Sequence, residues 1–197
     1  MHKIHSIRFR LQRSITAFAQ DCAGLAATEF AFIVPLMLVM FFGTIEISSA
    51  VAVDRKVTLM ARTLSDLTSQ STSVADTDLT NFFNAAIGIM TPYSSSTTNS
   101  TISELYVDST GTAKVQWSKG SAPRTTGTTV AIPTALQISG TYLIYSEVNY
   151  TYVPSLGYVL TKTGFKLSDV AYTRPRQSTC VIYPTPTSGT TPACPTS

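Results

Sequence analysis

Apolar residues are distributed along this chain in two different rhythms. From Phe30 to Ile45 sixteen consecutive residues carry no charge. At 1.5 Å per residue they make about 24 Å of helix, slightly short of the ~30 Å of bilayer hydrocarbon. Counting the weakly polar "SSAVAV" beyond Glu46 brings a membrane span within reach. Val53, Val57, Met60, Ala61, Leu64 and Leu67 then recur at three- and four-residue spacing, which predicts one helix continuing to about Ser69. A second helix is predicted from Asp76 to Met90, with Leu79, Phe82, Phe83, Ala86, Ile87 and Met90 as its apolar face and Pro92 beyond its end.

After a polar loop, "SSSTTNST", the rhythm shortens to two. "ISELYVD", the turn "STGT" and "AKVQWSK" read as a hairpin, with Ala113, Val115 and Trp117 alternating against Lys114, Gln116 and Ser118. "TYLIYSEVNYTYV" is a long strand with Tyr142, Ile144, Val148, Tyr150 and Tyr152 on one side, and "GFKLSDVAYTRPR" is a final strand to pair with it. The sum is an α+β chain, an antiparallel sheet on a long N-terminal helix.

Charge changes the picture at one end. Lys3, Arg8, Arg10 and Arg13 against Asp21 give residues 1–24 a net +3, and the ten basic and ten acidic residues that follow cancel. A nucleic-acid-binding domain would carry its basic patch on the folded part, so that class is disfavoured. A basic leader ahead of an apolar segment is the usual export geometry and places the N-terminus in the cytoplasm. Both histidines, His2 and His5, lie in the leader. No histidine follows Gly24, and no G-x-S-x-G, phosphate-binding or dinucleotide motif is present. Ser-His-Asp and Cys-His catalysis are therefore excluded for the rest of the chain. The expectation is a protein that is not an enzyme and has no cofactor.

Glu29, at the edge of the apolar run, asks for a reason, because an acid near lipid wants a partner. The basic leader, Gly24, four small or apolar residues, Glu29-Phe30, an apolar run containing Pro35, and the closing Gly43-Thr44-Ile45-Glu46 resemble the TadE-like proteins. These are pseudopilins or minor pilins of tight-adherence (Flp) type IV pili. The resemblance implies cutting by a prepilin peptidase between Gly24 and Leu25, making Glu29 the fifth mature residue and Phe30 the sixth. It also implies other pilins, an assembly platform and the lipid bilayer as partners, a pilin-like domain, and a single-pass inner-membrane location with the C-terminal domain exported.

Physically, cutting would free an α-amino group of pKa ~7.7–8.0 at Leu25, one helical turn from Glu29. Between neighbouring helices such an amine and carboxylate would pair, and the stagger of packing would be set. Glu46, 17 residues on, is expected as an interfacial acid on another helix face. Pro35 is expected to kink or open the helix locally.

The expected organisation is a leader over 1–24, a membrane helix over 25–53, an exported α+β domain over 54–179, and a Pro/Thr-rich tail over 180–197. A bridge between Cys180 and Cys194 would close that tail and would persist in an oxidising compartment. Two cysteines without histidine make a poor metal site. A competing reading has signal peptidase cutting after Ala50, at Ser48-Ser49-Ala50, to release a secreted carbohydrate- or surface-binding adhesin domain. Six of the nine tyrosines, between Tyr142 and Tyr172, and the "TRPR" pair Arg174 and Arg176 are its candidate binding groups.

Overall fold

A computed structural model describes residues 23–154, 164–186 and 193–196; the basic leader through Cys22 lies outside the described residues. Helix α1 (Ala23–Ser69) is 47 residues long. The chain divides into two units, Met1–Ile45 and Glu46–Ser197.

In the first unit, α1 presents its apolar side chains outward: Phe30, Phe32, Leu36, Met40 and Phe41 are all at least 60% exposed. One stretch of the helix Gly24–Ser69 reaches a mean hydropathy of 2.2, and it is the one described helix long and apolar enough to cross a membrane. Its hydroxyls are satisfied internally, as lipid requires: Thr28 Oγ1 donates to the Leu25 carbonyl and Thr44 Oγ1 to that of Met40, each at 2.8 Å. The helix runs on through Pro35, whose ring nitrogen cannot donate to the Ala31 carbonyl.

In the second unit, the 3.6-residue stripe of α1 does what its spacing predicts. Val53, Val57, Met60, Ala61 and Leu64 are at most 1% exposed and share a core with Leu79 and Ala86 of helix α2 (Asp76–Gly88) and with Met90 just beyond its end. The Asp78 carboxylate accepts the Ala75 N–H at 2.9 Å at the start of α2. At its other end Lys56 Nζ, reaching from α1, donates to the carbonyls of Ile89 (2.7 Å) and Thr91 (2.8 Å). A cation thus meets the negative end of α2 and ties the two helices together.

Among the described residues, five antiparallel strands complete this unit: β1 (Thr98–Val107), β2 (Ala113–Gly120), β3 (Thr129–Val130), β4 (Tyr142–Tyr152) and β5 (Phe165–Thr173), in the order β3-β2-β1-β4-β5. The hairpin and the final pairing agree with the alternating pattern, with two differences. First, β1 starts inside the expected polar loop, because Thr98 to Thr101 pair with Tyr150 to Glu147 and the sheet buries Ser100 and Thr101. Second, Glu104 faces Trp117 while Leu105 faces Val115, so Gln116 is an extra residue. This bulge reverses the alternation. Trp117 joins Ile102, Ile144 and Val148 in the helix-side core, whereas Ala113 and Val115 join Leu105, Val107, Leu143 and Tyr145 in another cluster. Val130, Ile132 and Leu136, the last in a short 3-10 turn (Thr134–Leu136), pack with that second cluster.

On the edge strand β5, the backbone N–H of Val170 donates to the carboxylate of Asp169 at 2.8 Å. Among the described residues β5 has a strand neighbour on one side, β4.

Candidate functional site

The N-terminal turns of α1 carry the residues that the sequence singles out. Leu25 is 64% and Phe30 69% exposed, and Gly24 and Glu29 are exposed as well. A Cβ added at Gly24 would meet nothing within 4 Å. Among the described residues, nothing in the packing requires glycine at this position. Glu29 follows Leu25 by four residues, about 6 Å along the axis, on an exposed helix with no core to enter.

Glu46 lies at the other end of the apolar run. It is 3% exposed, at the first residue of the second unit, and acts electrostatically on the Tyr152 phenol. Glu46 is buried within that unit, where α1 already turns a core-facing stripe toward the sheet. Gly43 and Pro35 lie within the uninterrupted helix.

The tyrosines are mostly structural. Tyr142, Tyr145, Tyr150 and Tyr152 are only 5–6% exposed, so their rings are spent on packing rather than displayed to a ligand. Tyr150 donates its hydroxyl to the Ser94 carbonyl at 2.9 Å, and Tyr145 stacks on Tyr172 with centroids 4.9 Å apart. A cleft of about 400 Å³ beside them is lined by uncharged residues, including Ser49, Tyr93, Ser94 and Thr97. Arg124 grips Glu147 through two bonds, 2.7 and 2.6 Å. Burial would raise that carboxyl, but the guanidinium holds it below the usual range. Of the "TRPR" pair, Arg174 is exposed, while Arg176 is bound to Asp66 and donates its N–H to the Ser69 carbonyl at 2.8 Å.

Cys180 and Cys194 form a disulfide with Cα atoms 5.8 Å apart. Cys180 is 1% exposed and packs with Tyr142 and Ile182, and the Tyr142 hydroxyl donates to the Pro195 carbonyl at 2.8 Å. The bridge thus fastens the tail to the sheet. Residues 187–192 of the loop it closes lie outside the described residues. Among the described residues no group of three or more His, Cys, Asp or Glu is placed to hold a metal.

Sequence reasoning missed Glu104. It is 0% exposed, accepts the Val181 N–H at 2.5 Å and the Trp117 indole N–H at 3.1 Å, and burial pushes its carboxyl up to about 7.

The comparison with known families falls on the helix. Residues 24–64 match the TadE-like protein family. No curated protein and no solved structure matches the chain. The TadE-like match begins at Gly24, ends inside α1 and covers none of the sheet. Together with the apolar helix it supports a pilin- or pseudopilin-type role for a membrane-anchored chain. The fold agrees: an N-terminal apolar helix is followed by an antiparallel sheet domain.

Proposed function

We propose that this chain is a pseudopilin or minor pilin that takes part in assembling a tight-adherence type IV pilus. In this reading a prepilin peptidase cuts between Gly24 and Leu25 at the cytoplasmic face of the inner membrane. The observation that carries it is the TadE-like match, which spans the exposed apolar part of α1 and starts at the proposed cut. Two features of the helix support it. Gly24 has open space around it, as a protease-recognised small residue should, and Glu29 is exposed on an otherwise apolar rod. The new amine at Leu25 and the Glu29 carboxylate of an adjacent subunit then neutralise one another, and in a low-dielectric environment only the paired stagger escapes the cost of a lone charge. The chain acts by assembly, with other pilins and an assembly platform as partners.

The test is the mass of the mature chain. A protein starting at Leu25 is expected; one starting at Val51 would instead identify a released, soluble binding domain. Gly24→Val is expected to leave the chain uncut, since α1 accepts the side chain while the peptidase does not, and normal maturation of this variant would remove the proposed site. Glu29→Ala is expected to be cut normally yet enter pili at least about tenfold less, the equivalent of ~1.4 kcal/mol for the lost pair. Quantifying the subunit in sheared pili against the membrane fraction checks this, and equal incorporation would count against the pairing role.

A further inference from the structure

Residues 176–186 form a strap that lies across the open side of the exported unit. Its backbone is stitched to the segment after α1: Arg176 N–H to Ser69 O (2.8 Å), Ile182 N–H to Thr72 O (3.1 Å), Val74 N–H to Ile182 O (2.9 Å) and Thr185 N–H to Val74 O (3.1 Å). Its inner residues are buried, Val181 at 0% and Ile182 at 8% exposure. Beneath Val181 lies Glu104. The two groups form a closed triangle with Trp117, whose indole N–H donates both to Val181 O (2.7 Å) and to Glu104 Oε2 (3.1 Å), while Val181 N–H donates to Glu104 Oε1.

We propose that Glu104 is a proton-controlled latch for this strap: the neutral carboxyl holds it closed, and ionisation loosens it.

The geometry supplies the reason. A fully buried carboxylate needs either a cation or water. Among the described residues, the charged groups nearest the strap pair with others: Asp66 of α1 with Arg176, and Asp76 of α2 with Lys119 of β2 and with the Tyr183 hydroxyl of the strap. Lys119 lies over the Tyr183 ring, 4.7 Å from its centroid. From the sheet, Tyr142 of β4 feels the Glu104 charge, and Tyr106 of β1 neighbours that phenol. None of these is a counter-ion for Glu104. Two N–H donors remain, and one of them belongs to the strap itself. Water can reach the ionised carboxylate by displacing Val181. When Glu104 is protonated, its Oε1 still accepts from Val181, and Trp117 keeps the Val181 carbonyl.

The sign follows from the burial that lifts Glu104 from 4.5 to about 7. The closed strap retains a proton that the open, solvated carboxyl gives up at its ordinary value. Closure is therefore complete below about pH 4.5 and weakens as pH rises through 7, by up to about tenfold per unit, after which it levels off. This latch operates in the exported unit and does not depend on how the N-terminus is processed.

Hydrogen exchange of the full chain in detergent, followed by mass spectrometry from pH 5 to 8 and corrected for the intrinsic pH dependence of exchange, tests it. Peptides covering the strap are expected to lose protection by roughly two orders of magnitude across this range, while β1 and β4 peptides hold theirs. Glu104→Gln is expected to flatten the strap's response. Strap protection that tracks the sheet at every pH, or an unchanged response in E104Q, would overturn the latch. Should E104Q fold poorly, Trp117, the single tryptophan, reports on the unaltered chain. Its emission is expected to shift with a midpoint near the raised Glu104 value, and emission that stays flat over this pH range would overturn the proposal as well.

Discussion

Gly120→Ala is expected to destabilise the sheet-bearing unit by about 3–5 kcal/mol, a large part of the 5–15 kcal/mol that holds a typical domain together. Gly120 ends β2 at φ +135°, opposite Thr101, and a Cβ there would strike the Ser100 carbonyl oxygen and lie 2.7 Å from the Thr101 Cα. Both obstacles are backbone in a paired strand, so neither can swing aside. A left-handed backbone on a non-glycine residue costs about 1–3 kcal/mol, and overpacking adds a similar amount. Urea unfolding of the detergent-solubilised chain, followed through Trp117, is the measurement. Gly88→Ala is the internal comparison. Its Cβ would meet nothing within 4 Å, and Gly88 is the last residue of α2, where alanine's helix preference counts less than in the interior, so its unfolding midpoint is expected to stay the same or rise slightly. Equal midpoints for the two variants would mean that the β2 end relaxes freely and that the backbone contact at Ser100 is unimportant.

The second large effect is expected at the tail. Replacing Cys180 and Cys194 together by alanine, 14 positions apart, should cost about 3 kcal/mol through the unfolded state alone. The native state adds to this, because Cys180 is buried against Tyr142 and Ile182. Reducing the unaltered protein should reproduce the loss, and a reductant without effect on the unfolding midpoint would show that the tail docks by its hydrogen bonds alone.

Much of the architecture can be read along the chain wherever one periodicity persists. Helix α1 ends at Ser69 as its stripe predicts, since Val53 to Leu64 all reach the core that the spacing implies. Helix α2 and the strands β4 and β5 are equally plain. Legibility fails where a residue's role depends on a distant partner. Glu104 looks like the solvent face of "ISELYVD", but its donors are Trp117 and Val181, 13 and 77 positions away. Gln116 looks like the polar half of an alternation until the bulge opposite Glu104 and Leu105 shifts the frame. Thr98 to Thr101 look like loop because hydroxyls are common there; in the sheet they pair with β4, and the Thr101 Oγ1 accepts the Ala122 N–H at 3.3 Å. At the N-terminus the reverse holds. Gly24 and Glu29 stand out in the sequence by residue type and position, while among the described residues both are simply exposed on α1.

The small contact on β5 bears on any molecule made to polymerise. A growing fibre needs its subunits to join through one surface and to refuse the others, and an open sheet margin is the commonest route to unwanted stacking. By drawing the Val170 N–H onto its own side chain, Asp169 takes away a donor that an intruding strand would need, and places a negative charge in its path. Along this margin, then, the Asp169 side chain makes strand addition at Val170 less favourable.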